Sequence, residues 1–401
     1  MPDDTIPNNQ LPITNYLLLT LVLSIFAIAP LFYPGYIQTH TGFVPLWNVA
    51  DLRANLGQEG WMPHIGLNFD PLRSDGLLPY YLAALLPLEP ATAVKVVLGL
   101  SWLLGSAGMF FWLKDELGES GAVAAALVYT YLPFHIATVY VRGAWGEALF
   151  WGLLTWGFTI YNLQFTIGRI FLTFLLWLVL GLSQMGLTLW AFVLLTLWLL
   201  VRRRRRGVWP VVAALLGILA AITIVFLASS PHSPSPHNFV DHFLYPSQLF
   251  SAFWGTGFSR AGWNDGLSFQ LGLAATGLTF LSMILFVGNS LHEKDKAVEQ
   301  SLWDNTNKEN VIARPQGLSN PPPRKETASP AARSDIHQTI LTGVAAKNYF
   351  FWLGSVIILI LLQFPLSQLL WQLPIFPGFT LADTLTYPWQ LLGLAGLGLS
   401  V

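Results

Sequence analysis

Ten stretches of this chain are apolar for long enough to enter a lipid bilayer, and that succession limits the fold more than any single motif. About 20 apolar residues span the hydrocarbon core as a helix, which satisfies every backbone N–H and C=O within the segment. Such runs lie at 15–33, 92–113, 120–140, 146–163, 168–183, 187–201, 208–229, 267–287, 349–364 and 387–401. The pair 168–183 and 187–201 is short and joined by Gln184-Met185-Gly186, consistent with either a hairpin of thin helices or a re-entrant pair. Residues 77–87 are too short to cross and belong in the interface. The expected class is all-α: a polytopic integral membrane protein of about ten transmembrane helices.

Charge supports the same class. Only 10% of residues are charged, against about 25% in a soluble domain, so most of the surface must face lipid. A net charge of −1 argues against a nucleic-acid partner bound through counterion release. With no cysteine there is no disulfide, thiolate zinc site or cysteine nucleophile. Residues 1–15 hold Asp3 and Asp4 but no lysine or arginine, so they lack the positive start of a signal peptide, and the first run is expected to be an uncleaved helix. The final residues, Leu391 to Val401, are apolar without a polar flank, which predicts a chain that stops inside a span.

Arginines set the expected orientation in the cell (inner or plasma) membrane. Arg202 to Arg206 follow a span directly and should be cytoplasmic. Counting outward from them places the N-terminus and segments 114–119, 164–169, 202–207 and 288–347 inside, and these hold 15 of the 20 lysines and arginines. The chain then divides into a transmembrane region 1–287, a linker 288–347 and a C-terminal transmembrane region 348–401. The linker carries HEKDKAVEQ and Pro321-Pro322-Pro323 with few aliphatic clusters, and is expected to be disordered and cytoplasmic.

With that topology the segments 34–91, 230–266 and 365–386 share the outer side, joined by the turn 141–146. They hold Asp51, Asp70, Asp75, Arg142, His232, His237, Asp241, His242, Asp265 and Asp383, with Glu147 one turn into the next span. Residues 46–57 read as a short amphipathic helix with Leu46, Val49, Ala50 and Leu56 on its apolar side and Asp51 near the membrane surface, close to Arg53. A carboxylate there can act as a general base toward an acceptor hydroxyl or help hold a hard divalent cation; it can equally be a surface charge paired locally. In YVRGAWGE, residues 140–147, Arg142 can grip a phosphate or pair with Glu147. His237, Asp241 and His242 could form a metal site, His237 and Asp241 having i, i+4 spacing if helical, but the segment is proline-rich at its start and has no HExxH pattern, so its histidines are read as solvated loop residues. Asp265 is expected to cap a helix beginning near Leu267.

Several segments together resemble a family: a long first outer loop with an acidic residue, then DGLLPYYLAALL, YVRGAWGEALFWGLL, GLSFQLGL and LADTLTYPWQLLGL. They resemble the bacterial multi-pass membrane proteins called 6-pyruvoyl-tetrahydropterin synthase-related, which are similar to the GT-C superfamily of glycosyltransferases. The resemblance implies transfer of a sugar from a polyprenyl-phosphate carrier to an extracytoplasmic acceptor, in contact with membrane lipids. It places the catalytic acid at Asp51 and substrate binding at Arg142, Glu147, Arg53, Trp145, Tyr387 and Trp389. The first loop of that superfamily often carries two adjacent acids, whereas Leu52 follows Asp51 here; the late aromatic-Pro-Trp-Arg run reads Tyr387-Pro388-Trp389-Gln390, without its basic residue. The family name implies no pterin chemistry, because this chain has neither a cysteine nor a zinc triad. The rival readings are a transporter or flippase, which predicts ionisable residues midway through spans, and a non-catalytic membrane assembly protein.

Overall fold

The computed structural model describes residues 12–55, 76–162, 166–202, 208–228, 239–255, 257, 259–262, 264–288, 292, 330–377 and 379–401. Helices dominate. In chain order they are α1 (Ile13–Ile28), α2 (Val44–Ala54), α3 (Leu77–Leu85), α4 (Pro90–Thr130), α5 (Pro133–Ile136), α6 (Trp145–Asn162), α7 (Ile167–Ser183), α8 (Met185–Arg202), α9 (Trp209–Ala228), α10 (Leu273–Gly288), α11 (Pro330–Leu361), α12 (Gln368–Trp371) and α13 (Leu392–Ser400). A two-stranded antiparallel ribbon, β1 (Pro374–Phe376) with β2 (Phe379–Thr380), is the one sheet among the described residues.

Among the described residues, three helices are long and apolar enough to cross a membrane: Ile13–Phe32, Pro90–Thr130 and Met185–Arg202. A fourth span results if Ala346–Leu361 and Pro365–Trp371, bent by 88°, count as one. The runs expected at 92–113 and 120–140 merge into α4, broken at Gly118, and the second run ends early at Thr130. Pro133 explains the stop, since the residue before a proline is pushed out of helical geometry; Leu132 is indeed extended, with ψ 127°. The run expected at 267–287 starts instead at Leu273. The helix expected at 349–364 begins at Pro330, inside the segment read as a linker. Ile336, Ile340, Leu341 and Val344 recur there at helical spacing between alanine pairs. Residues 289–291 and 293–329 of the expected linker lie outside the described residues.

The chain divides into two compact units, Met1–Ala275 with Phe350–Val401, and Thr276–Tyr349. In the second unit the rings of Phe286 and Tyr349 stack at 5.0 Å. The first unit is packed the way lipid demands, through small residues and interhelical hydrogen bonds rather than apolar exclusion alone. Thr155 donates to the Gly105 carbonyl at 3.2 Å and Thr159 to that of Gly108 at 2.9 Å, drawing α6 onto α4. Ser24 and Ser106 share a 2.7 Å hydrogen bond that draws α1 onto α4. Further along, Trp112 stacks on Phe158 at 4.4 Å and meets Trp198 edge-on at 6.0 Å.

Gly146 packs against the Ser183 carbonyl, and Gly186 against the Thr384 carbonyl, so the α7–α8 corner lies at the end of the bundle that holds the first polar segment. The other ends of these helices lie opposite. Arg169 donates to the Tyr161 carbonyl at 3.1 Å, at the end of α6 far from Glu147, and Arg202 forms a 2.5 Å ion pair with Glu116. Glu116 and Arg202 therefore meet at one end of the bundle, while 34–55, 141–147 and 379–386 gather at the other.

Candidate functional site

The site grows from a helix that changes pitch. A π-helix, Ala137–Arg142, follows α5 and closes at Gly143, whose φ of 71° is left-handed. Thr39 and Thr41, linked by a 2.9 Å hydroxyl bond, lie where a side chain at position 143 would sit. Backbone bonds from His40 to the Val141 carbonyl, 2.8 Å, and from Thr41 to the Arg142 carbonyl, 3.3 Å, tie the first polar segment to this turn. A single helical turn later, Gly146 meets Gly76, the left-handed residue before α3, and a Cβ on either would collide with the other's backbone.

That turn presents Arg142 to Glu147. Both guanidinium arms engage the carboxylate, Nη1 to Oε2 at 2.6 Å and Nη2 to Oε1 at 2.8 Å. The pair is buried, with side chains 13% and 4% exposed. The opposite face of Arg142 lies 4.4 Å above the Trp389 ring, which stacks on Tyr387 at 4.8 Å. Gln390 stands where the resemblance implies an arginine. Its Nε2 donates to Glu147 Oε1 at 2.8 Å, and its Oε1 accepts from the Thr386 and Tyr387 N–H groups at 3.0 Å.

The network continues through Ser259. The hydroxyl donates to Asp265 Oδ2 at 2.8 Å, and the Trp389 indole N–H donates to it at 3.2 Å. His242 Nδ1 lies 2.9 Å from the same oxygen. The serine proton already goes to Asp265, so His242 Nδ1 carries a hydrogen and donates. Asp265 Oδ1 accepts from the Arg260 and Leu267 backbone, both at 3.1 Å. It fixes this loop rather than capping a helix, because the helix starts later, at Leu273. Burial raises the Asp265 carboxyl above the ordinary aspartate range, and those hydrogen bonds, with the His242 charge, only partly pull it back.

A second group surrounds α2. The helix buries Asn48, Val49, Asp51 and Leu52, turns Ala50 outward and leaves Leu46 half-buried. Asp51, 7% exposed, faces the protein interior. This follows from the spacing: at 3.6 residues per turn Asp51 lies on the same face as Asn48 and Leu52. Asn55 donates to its Oδ1 at 3.1 Å. Asn48 bonds the Tyr80 hydroxyl, and the Tyr80 ring stacks on Trp145 at 5.4 Å, nearly parallel. Tyr36 bonds Thr39 and Trp145, and burial pushes its hydroxyl up to about 12.

The structure thus brings Arg142, Glu147, Tyr387 and Trp389 into one network and places Asp51, Arg53 and Trp145 around α2 and α3. Arg53 binds protein: its guanidinium donates to the Ala83, Ala84, Leu86 and Leu88 carbonyls at 2.8 to 3.2 Å, capping the end of α3. Asp383 bonds the backbone and hydroxyl of Thr380 and closes its own turn. Asp70, Asp75, Leu56, His232 and His237 lie outside the described residues. Among the described residues no three histidine, aspartate or glutamate side chains come together as a metal site. Ser259 had no signal in the sequence; Gln390 had one, its place after Tyr-Pro-Trp.

No match sets this chain in a family. It matches no protein-family model and no curated protein sequence.

Proposed function

We propose that this chain is a GT-C-like membrane glycosyltransferase that moves a sugar from a polyprenyl-phosphate carrier to an extracytoplasmic acceptor. The observation that carries the reading is a buried carboxylate, Asp51, in the first polar segment. Its neighbours Val49 and Leu52 belong to one apolar cluster with Trp145 and Ala148, which flank Glu147. An acid set among apolar side chains, with an amide donating to it, suits a base that must work beside lipid, shielded from water. In this reading α6 to α11 also cross the bilayer, the Arg202–Glu116 end faces the cytoplasm, and the Arg142–Glu147 end faces outward.

The chemistry balances simply. Asp51 accepts the proton of the acceptor hydroxyl as its oxygen bonds the anomeric carbon. The bond from that carbon to the carrier phosphate breaks, and the phosphate leaves with the electron pair. Arg142 is already satisfied by Glu147 and Trp389, so its role here is to hold the outer turn in shape, with Trp389 and Tyr387 as the stacked platform beneath it.

The test is transfer of label from a metabolically labelled pool of polyprenyl-phosphate hexoses to acceptor in membranes holding the full chain. Asp51→Asn should abolish transfer while expression and thermal stability persist. Undiminished transfer by that variant would remove Asp51 from the chemistry. Flipping of the carrier by liposomes holding the purified chain, with no transfer, would favour the flippase reading.

A further inference from the structure

Beside Ala148 the structure holds a small, partly open cavity whose wall is mostly apolar, with a few polar side chains set into it. It lies among α4, α5, the π-helix and α6, and its lining includes Ser101, Tyr129, His135, Thr138, Trp151 and Gly152. About 20 Å³ of it is open to a body the size of water, and roughly 10–15 Å³ is enough for one such molecule.

Three of the lining residues bring polar atoms with no protein partner among the described residues: His135 Nε2, Thr138 Oγ1 and Trp151 Nε1. All three residues are at least nine-tenths buried, at 5%, 0% and 3% exposure. Their hydrogen-bonding characters are fixed. His135 Nδ1 lies 2.9 Å from the Tyr129 carbonyl, which only accepts, so Nδ1 holds the proton and Nε2 offers a lone pair. The Trp151 indole can only donate. The Thr138 hydroxyl can do either.

We infer that this cavity is a binding site for one water molecule, held by His135, Thr138 and Trp151. A ligand here must donate to the imidazole and accept from the indole while making both kinds of bond in a space of that size. A metal cation would meet the indole N–H, an anion would meet the imidazole lone pair, and an apolar guest would leave all three groups unsatisfied. The bound water bridges the chain across the break after Thr130, where the α4 ladder stops, and fixes the π-helix that ends at Arg142 against α6. The inference stands independently of the glycosyl-transfer reading, because no activity enters its test.

The test is solid-state NMR on the full chain in proteoliposomes, with histidine and tryptophan nitrogens labelled. The His135 signals are assigned by their loss in His135→Phe. The expected result is polarisation transfer from water to the His135 imine nitrogen, which resonates at its hydrogen-bonded position. Thr138→Val combined with Trp151→Phe should abolish that transfer and leave the Nδ1 bond to Tyr129 intact. No transfer in the unaltered protein, with the imine nitrogen at its unbonded position, would overturn the proposal. So would entry of xenon into the cavity, which marks a dry one. Both readings use the unaltered chain, so a variant that fails to fold does not blunt the test.

Discussion

Gln390 donates to Glu147 Oε1 at 2.8 Å across 243 positions of sequence, making an uncharged amide the partner of a carboxylate already held by Arg142. The same amide accepts from two backbone N–H groups, so it fastens the Tyr-Pro-Trp turn to α6. Gln390→Leu should leave those groups buried and unpaired, at a cost of about 1–3 kcal/mol. Gln390→Glu should cost more, by setting a second carboxylate against Glu147. Thermal unfolding of the purified chain in detergent measures both.

Breaking the ion pair itself should be harsher. Arg142→Ala strands a buried carboxylate, a change that typically costs about 3–5 kcal/mol. Arg142→Lys should not rescue it, because an ammonium offers neither the two-armed geometry nor the flat face that lies on Trp389. The double replacement Arg142→Met with Glu147→Leu removes both charges and should unfold at a higher temperature than either single variant. Equal losses in all three would mean that the pair contributes only shape.

How much of this was legible in the sequence depends on the distance over which each contact acts. The helices follow from apolar runs and were placed to within a few residues where a proline or a polar turn closes them, as at α1, α6, α7 and α8. The break at Thr130 required weighing Pro133 against an uninterrupted apolar run, and hydropathy hid it. The Arg142–Glu147 pair was readable as one option because its members lie five residues apart. Gln390 and Ser259 join the network from 243 and 130 residues away, through bonds to Glu147 and Trp389, and no local pattern announces them. Arg53 entered as a substrate-binding residue only through the resemblance; in the fold its guanidinium donors meet the carbonyls that a helix end leaves without helical partners, a pairing across some thirty residues that no local pattern announces.

Three helices meet where Gly146 touches Gly76 and the Ser183 carbonyl, with no room for a methyl group. Gly146→Ala should therefore separate α6 from α3 and α7 and lower the yield of folded protein. Gly168→Ala is the control. Nothing lies within 4 Å of a Cβ there, and alanine in α7 should stabilise by about 0.5–1 kcal/mol. Size-exclusion profiles and unfolding temperatures of the two variants distinguish a packing requirement from a general intolerance.

Asp265 gives stability a pH dependence of defined sign. Its folded carboxyl titrates above the unfolded one, so the fold favours the protonated form. That contribution is fully present below the unfolded value of about 3.9 and is lost as pH rises through the folded value. The advantage of the unaltered chain over Asp265→Asn should accordingly shrink as pH is raised across this window. A difference constant with pH would show that the carboxyl is not shifted by the fold.

Transfer to an extracytoplasmic acceptor requires the Arg142–Glu147 end to face outward, and the chain's lack of cysteine makes that face directly measurable. Single cysteines at Gln38, beside the first polar turn, and at Asp115, beside the Arg202–Glu116 pair, are treated in intact cells with a maleimide that cannot cross membranes. Labelling of Gln38→Cys in intact cells, and of Asp115→Cys only after permeabilisation, is the predicted result. The reverse pattern would put the polar network on the cytoplasmic face and contradict transfer to an extracytoplasmic acceptor.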